Sequence, residues 1–266
     1  MILEIIKAVV LGVVEGLTEF LPISSTGHLI LINQVFSFAG KLTILFDIFI
    51  QLGAILAVVW YFRKRLSPFG ENKEKNKATL VLWQKAIVGV VPALVLGVLF
   101  GGLIEEKLFN PYVVVVSLII GGVILILIER KQRQSKIHSM VELSFKTAFL
   151  IGLIQCSAMI PGVSRAAATI IGAMMLGASR IVAVEFSFFL AIPTMVAASF
   201  YSLMKYHLAM SADEAIILGV GFAVSFLVAL GVIRFLMEFI QKHNFKVFGY
   251  YRIVLGALII LVLLLR

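Results

Sequence analysis

The sequence predicts an all-α integral membrane protein: about six full transmembrane helices plus two re-entrant helical hairpins in an inverted-topology repeat. Three observations carry this. Of the 266 residues 61% are hydrophobic and the mean hydropathy is +1.10, too apolar for a soluble domain. The apolar runs are long and do not alternate, which favours helices over strands. Two short polar stretches, Glu15 to His28 and Gln155 to Arg165, interrupt the apolar chain with Gly, Glu or Gln, Pro and Ser in one order.

Six runs of near-membrane length are expected as spans, at about 42–62, 86–104, 112–128, 182–204, 215–236 and 249–265. Regions 2–39 and 144–178 are apolar but broken, each holding a proline, several glycines and one polar stretch. Each reads as two half-length helices meeting at an irregular turn. Such backbone is tolerated at membrane depth only where it is buried in protein or lines a wet cavity. The whole chain, 1–266, forms one membrane domain, with repeat one at about 1–104 and repeat two at about 144–236. A span at about 112–128 links the repeats and a span at about 249–265 ends the chain.

Loop charge sets the orientation. Segment 63–85 carries Arg63, Lys64, Arg65, Lys73, Lys75, Lys77 and Lys85; segment 130–146 carries Arg130, Lys131, Arg133, Lys136 and Lys146; segment 234–252 carries Arg234, Lys242, Lys246 and Arg252. Loops 105–111 and 205–214 carry one Lys each, beside Glu105, Glu106, Asp213 and Glu214. The basic loops are expected in the cytoplasm. Trp60, Tyr61, Trp83, Tyr250 and Tyr251 lie at the same ends, as an aromatic belt does. Hairpin one then enters from outside and hairpin two from inside, so the copies are inverted. The repeat offset is 139 for Pro22 and Pro161 and for Ser25 and Ser164, but 140 for Gly12 and Gly152 and for Glu15 and Gln155, so one residue is expected to slip between them. Asp47 and Glu185 are expected as the repeat-related acids on the spans that follow.

Some classes are excluded early. The net charge of +9 lies in short loops and is an orientation signal, so no nucleic acid is expected as a partner. Cys156 is the sole cysteine, which rules out an intrachain disulfide and a thiolate cluster. Glu15 and Glu19 interrupt the first apolar run and no small-residue cleavage site follows, so no cleavable signal peptide is expected.

The polar stretches hold the candidate chemistry, because ionisable groups at membrane depth mark function by default. Glu15 and Glu19 share one helix face at spacing i, i+4. Two such carboxylates in low dielectric need a cation, an Arg or a shared proton, and the sequence leaves these open. Pro22 ends a half-helix, and Ser24, Ser25 and Thr26 open the next, whose free N–H groups form an anion site. One of these hydroxyls can contact phosphate or act as nucleophile, and His28 can be acid, base or phosphate ligand. In the second stretch Gly162 allows close backbone approach, and Ser164 and Arg165 open a half-helix where a guanidinium fork suits a phosphoryl group. Asp47, Gln51 and Glu185 are supporting candidates, the acids as partners for Arg165 or His28. Thr169 reads as packing. The inventory describes an anion site for a substrate with a lipid tail.

At these residues the chain resembles the undecaprenyl-diphosphate phosphatase family of bacteria, the bacitracin-resistance type. Its first signature is nearly all present as GVVEGLTEFLPISSTGH, and PGVSR is the core of its second. The resemblance covers essentially the full chain. It implies an inner-membrane enzyme that hydrolyses undecaprenyl diphosphate to undecaprenyl phosphate and inorganic phosphate, recycling the lipid carrier of cell-wall synthesis and giving resistance to bacitracin. It implies help from a divalent cation, Mg²⁺ or Ca²⁺, with Glu15 and Glu19 as candidate ligands. It places Glu15, Glu19, Ser25, Thr26, His28, Ser164 and Arg165 at the site. Ala166 and Ala167 replace the Ser-Gly that usually follows the Arg. The expected partners are a polyprenyl diphosphate lipid and the membrane, with a homodimer as a possible assembly, and the site is expected to open to the periplasmic or outer side.

Two other readings compete. Lipid phosphatases with a His nucleophile need a second His soon after the Arg, but none follows Arg165 before His207. A flippase for polyprenyl phosphate would use the same anion site and an inverted repeat. The second stretch lacks the acids of the first, and that asymmetry favours a one-site phosphatase.

Overall fold

The computed structural model describes all residues except 34, 35, 37, 39, 131–133, 207–210 and 266, so Lys131, Arg133 and His207 lie outside the described residues. The described chain is helical. Its elements are α1 (Ile2–Thr18), α2 (Ser25–Ile32), α3 (Lys41–Tyr61), α4 (Arg63–Leu66), α5 (Lys73–Leu108), α6 (Pro111–Arg130), α7 (Phe145–Gln155), a 3₁₀ turn (Cys156–Met159), α8 (Arg165–Met175), α9 (Arg180–Tyr206), α10 (Ala212–Lys242) and α11 (Lys246–Leu264).

Six helices are long and apolar enough to cross a membrane: α3, α5, α6, α9, α10 and α11. They match the six expected spans, with one difference of extent. Helix α5 starts at Lys73, not near residue 86, and its 36 residues reach about 54 Å at 1.5 Å per residue. The early start has a local cause: the Asn72 side chain accepts from the N–H groups of Glu74 and Lys75, and a charged first turn follows.

Burial separates the helices. In α9, 67% of the apolar window is buried, against 17% in α5, so α9 runs through the centre and α5 along the lipid-facing side. Phe186, Phe188 and Phe189 of α9 are fully buried, and Phe188 meets Phe20 edge to face at 5.4 Å.

The packing is reciprocal. Helix α1 packs on α10 while α7 packs on α5, and α3 also lies on α10 while α9 lies on α5. Glycine makes both close approaches possible. A Cβ on Gly12 would lie 2.8 Å from the Gly221 carbonyl oxygen, and a Cβ on Gly152 would lie 2.0 Å from that of Gly89.

The ends of each broken region come together. Ser179 N–H donates to Ile137 O at 2.9 Å and Lys136 N–H to Gly177 O at 2.8 Å, joining the segment before α7 to the turn after α8. Lys7 lies 5.8 Å over the Phe38 ring, so the chain beyond α2 returns to the start of α1. The basic segments share one face. Lys85 Nζ donates to Met140 O and Val141 O, each at 3.1 Å. Glu129 at the end of α6 accepts from Arg180 and from Phe245 N–H. Lys85 is therefore a buried helix residue that caps carbonyls, not a loop charge.

Candidate active site

Both broken regions make the same local structure. After α1, Glu19 continues the helical conformation with its N–H on Glu15 O at 2.9 Å, and the chain turns through Pro22. After α7, the 3₁₀ turn leads into Pro161 and Gly162. Each turn ends on a serine with φ near +72°, Ser24 and Ser164, the only non-glycine residues of positive φ among the described residues. That backbone is strained for an L residue. It is held because each hydroxyl caps the next helix, Ser24 accepting from Gly27 N–H at 3.3 Å and Ser164 from Ala167 N–H at 3.2 Å.

These twin caps correct the repeat register. Ser24, not Ser25, is the counterpart of Ser164, and the offset of 140 that relates Gly12 to Gly152 and Glu15 to Gln155 continues through the turn without a slip. The prolines misled because they stand at different places in the two turns. In the corrected register Ser25 and Arg165 are equivalent: each is the first residue of its half-helix.

Those two residues meet on one carboxylate. Ser25 Oγ donates to Glu19 Oε2 at 2.8 Å, and Arg165 donates to Glu19 Oε1 from Nη2 at 3.2 Å and Nε at 3.4 Å. Arg165 Nη1 donates to Ser187 O at 3.1 Å, and the guanidinium lies 5.7 Å over the Phe20 ring. The Arg165 and Glu19 side chains are only 11% and 10% exposed, so water screens the pair weakly.

The trio borders a cavity of about 440 Å³. Thr26, Gln51, Gly162 and Ser164 line it, joined by Gln155 and Thr194. The rest of the wall is largely apolar and comes from α5 and α9, including Leu94, Val98, Met195 and Tyr201. Hydroxyls, N-terminal N–H groups and a guanidinium thus share one recess with a largely apolar wall, the form of a site for an anionic head on an apolar tail.

Other expected site residues lie elsewhere. Glu15 is fully buried behind Glu19, with both carboxylate oxygens unpartnered, and feels the charges of Glu19, Asp47 and Arg165. His28 does not line the cavity. Its Nδ1 meets Ser24 O at 2.7 Å and its Nε2 meets Tyr251 Oη at 2.6 Å, with the two rings stacked. A carbonyl only accepts, so Nδ1 carries a hydrogen, and both ring nitrogens are engaged away from the cavity. Glu185 is taken by Arg65 through both carboxylate oxygens, so it orients neither Arg165 nor His28. The part expected of Glu185 is filled by the Ser187 carbonyl, because α9 turns its 187 position, not 185, toward Arg165.

Three participants were missed. Arg252, counted as a loop charge, is fully buried on α11 and bonded to both turns. A lone Arg six residues inside an apolar helix was the available signal. Tyr251, assigned to the aromatic belt, is the partner of His28. Thr169, read as packing, bonds Ser187 Oγ at 2.6 Å and so steadies the residue whose carbonyl holds Arg165.

Comparison with known proteins decides the family. The family model of the bacitracin resistance protein BacA matches residues 8–258. The chain belongs to that family. Undecaprenyl-diphosphatase 1 of Clostridioides difficile (strain 630) is 48% identical over 263 residues, covering 97% of this chain and 96% of the relative. The undecaprenyl-diphosphatase of Lachnoclostridium phytofermentans is 47% identical, covering 97% and 96%. That of Enterococcus faecalis is 45% identical, covering 98% and 97%. The BacA match spans both turns and α11 to residue 258, so Ser25, Glu19, Arg165 and Arg252 all fall within it.

Proposed function

We infer that this protein is an undecaprenyl-diphosphate phosphatase: it hydrolyses undecaprenyl diphosphate to undecaprenyl phosphate and inorganic phosphate, recycling the lipid carrier of the cell wall and conferring bacitracin resistance. The observation that carries the chemistry is the Ser25–Glu19–Arg165 trio bordering a cavity whose α5 and α9 wall is largely apolar. The relatives named above are hydrolases, and they lend the flippase reading no support.

The geometry supports a covalent route. Ser25 already directs its proton at Glu19, the arrangement of a nucleophile and its base. Ser25 Oγ attacks the terminal phosphorus, its proton passes to Glu19, and the P–O bond to the bridging oxygen breaks, releasing undecaprenyl phosphate. Glu19 passes that proton to the departing phosphate. Water then attacks the phosphoserine phosphorus, its proton passes to Glu19 and on to Ser25 Oγ, and the Ser25 Oγ–P bond breaks to give inorganic phosphate and free Ser25. Arg165 supplies a planar fork for the phosphoryl oxygens, and the N–H groups opening α2 and α8 add to it.

A divalent cation, Mg²⁺ or Ca²⁺, fits the donor chemistry. Glu15 holds two unpartnered carboxylate oxygens one helical turn from Glu19, and both cations favour oxygen ligands. No cluster of three ligating side chains occurs among the described residues, so Glu15 and Glu19 would hold the cation only together with other oxygen donors. When bound, the cation offsets diphosphate charge.

Charge and cavity together support a location. The cavity residues of α5 and α9, Val98 and Tyr201 among them, lie toward the ends of those helices that meet the weakly basic 105–111 and 205–214 loops. With the basic face in the cytoplasm, the site opens to the periplasmic or outer side of the inner (plasma) membrane, between two oppositely inserted re-entrant hairpins.

Purified protein in lipid nanodiscs, given undecaprenyl diphosphate, is expected to release one phosphate per lipid. Acid quench during turnover is expected to trap phosphate on the wild type and not on Ser25→Ala. A preparation that releases no phosphate yet moves labelled lipid across liposomes would reverse the assignment.

A further inference from the structure

We propose that Arg252 is a positioning residue for this hydrolysis: it sets the distance between the two half-helix N-termini, and so between Ser25 and Arg165. The inference rests on the phosphatase reading of the site. Arg252 belongs to α11, outside both repeats, and its side chain is fully buried. A guanidinium has five N–H donors. Here all five meet main-chain carbonyls: Nε donates to Leu118 at 3.3 Å, Nη1 to Pro22 at 3.2 Å and Val163 at 2.9 Å, and Nη2 to Ser117 at 3.1 Å and Gly162 at 3.0 Å.

The five carbonyls come from three places: α6, the turn before Ser24 and the turn before Ser164. A buried cation is strongly destabilising unless its donors are met, so Arg252 and these carbonyls hold one another in place. Pro22 is three residues before Ser25 and Val163 two before Arg165, so one rigid planar group fixes the approach of both reacting elements. Arg252 does not line the cavity, which separates it from groups that touch substrate.

The surroundings are shaped to the guanidinium. A Cβ on Gly121 would lie 2.3 Å from Arg252 Nη2 and 2.9 Å from Cζ, so α6 carries no side chain where the group sits. Adding a methyl there displaces the guanidinium without removing it. This yields two independent perturbations of one contact. Arg252→Lys keeps the charge but gathers its three donors on one nitrogen, and five diverging carbonyls cannot all be reached. Gly121→Ala keeps the arginine and shifts it.

Both variants are tested in nanodiscs with Mg²⁺ and undecaprenyl diphosphate. Each is expected to lose about 100-fold in kcat, the scale for reacting groups misplaced by an ångström. KM is expected to stay within about threefold, since the binding groups remain. Hydrogen exchange is expected to quicken at Ser24–His28 and Ser164–Ala168 together and not across the other helices. Added guanidinium ion is expected to restore at least about tenfold of the activity lost by Arg252→Ala, as refilling a vacated site does. Unchanged kcat in both Arg252→Lys and Gly121→Ala overturns the proposal. So does an exchange increase spread evenly over the chain, which marks general destabilisation. Failure of the wild type to release phosphate would instead remove the phosphatase reading, and the exchange at the two turns would still decide the coupling.

Discussion

The two hairpins share a backbone and divide a chemistry. Each has a half-helix, a proline-containing turn, a serine at φ +72° that caps the next half-helix, and a glycine pressed on a long helix, α10 for Gly12 and α5 for Gly152. At equivalent positions they differ in kind: Glu15 against Gln155, Glu19 against Met159, Ser25 against Arg165, His28 against Ala168. The first hairpin keeps carboxylates, hydroxyls and an imidazole, and the second keeps one cation and becomes more apolar around it. Strained turns need specific caps and close packing needs glycine, so those features persist in both copies. The residues between the caps are free to diverge. A symmetric pair of sites would place like charges together at membrane depth, whereas the divergent pair neutralises itself through Glu19 and Arg165.

The largest expected effect comes from making the first hairpin resemble the second at its base. Glu19→Gln removes the acceptor of the Ser25 proton and the partner of Arg165 at once, and kcat is expected to fall about 1,000-fold or more. Ser25→Ala is expected to match it, read by phosphate release under saturating lipid. Wild-type turnover in Ser25→Ala would give the attack to water and leave Glu19 as its base. Next is the cation of the second hairpin. Arg165→Lys keeps the charge but loses the fork that spans Glu19 and Ser187 O, and about 100-fold in kcat/KM is expected to go with it. Full activity in Arg165→Lys would reduce that hairpin to a scaffold.

How much of this was legible in the sequence depends on which physical signal a residue emits. The six spans emit a strong one, since about 20 apolar residues suffice, and all six are present. Helix α5 exceeded its expected start because a solvated, Lys-rich helical extension is not hydrophobic and is defined by its Asn72 cap. Glu19, Ser25 and Arg165 were singled out by polarity in an apolar setting, and the structure brings them together. The repeat register was misread because proline is conspicuous in a sequence while a backbone at φ +72° is not. His28 was grouped with the site by the first polar stretch and its family signature, and Glu185 by its match to Asp47. Which face of a helix a side chain leaves, and that Arg65 takes Glu185, are properties of tertiary packing. Arg252 was hidden because a charge near a helix start resembles an orientation signal until its depth is known.

The shared packing is itself testable, and the hairpins are not equal in it. A Cβ on Gly152 meets the Gly89 carbonyl at 2.0 Å, with Gly89 carbon atoms close behind, while a Cβ on Gly12 meets the Gly221 carbonyl at 2.8 Å. Neither contact is the far end of a flexible side chain, so helix axes must shift. Gly152→Ala is expected to cost about 2 kcal/mol and Gly12→Ala about 1 kcal/mol, within the range for overpacking. Thermal unfolding in detergent measures both. Equal losses would show that the α1–α10 and α5–α7 contacts are equally tight.

The smallest expected effect on activity concerns Glu15 and Gln155, which hold one position in the two half-helices. Gln155 has a carboxamide whose Nε2 reaches Thr194 Oγ1 at 3.4 Å, and its Oε1 is left without a partner. Glu15 leaves two oxygens without partners in full burial, an unfavourable state for a carboxylate that only an ion or a proton relieves. Copying the second hairpin into the first by Glu15→Gln removes the charge and preserves the shape. If Glu15 helps to hold the divalent cation, the half-saturating Mg²⁺ concentration is expected to rise about tenfold, a loss of about 1.4 kcal/mol. Saturating Mg²⁺ should return most of kcat, while a chelator should silence wild type and variant alike. An unchanged Mg²⁺ titration with a lowered kcat would mean that Glu15 serves Glu19 through a shared proton, and would move the cation to the diphosphate alone.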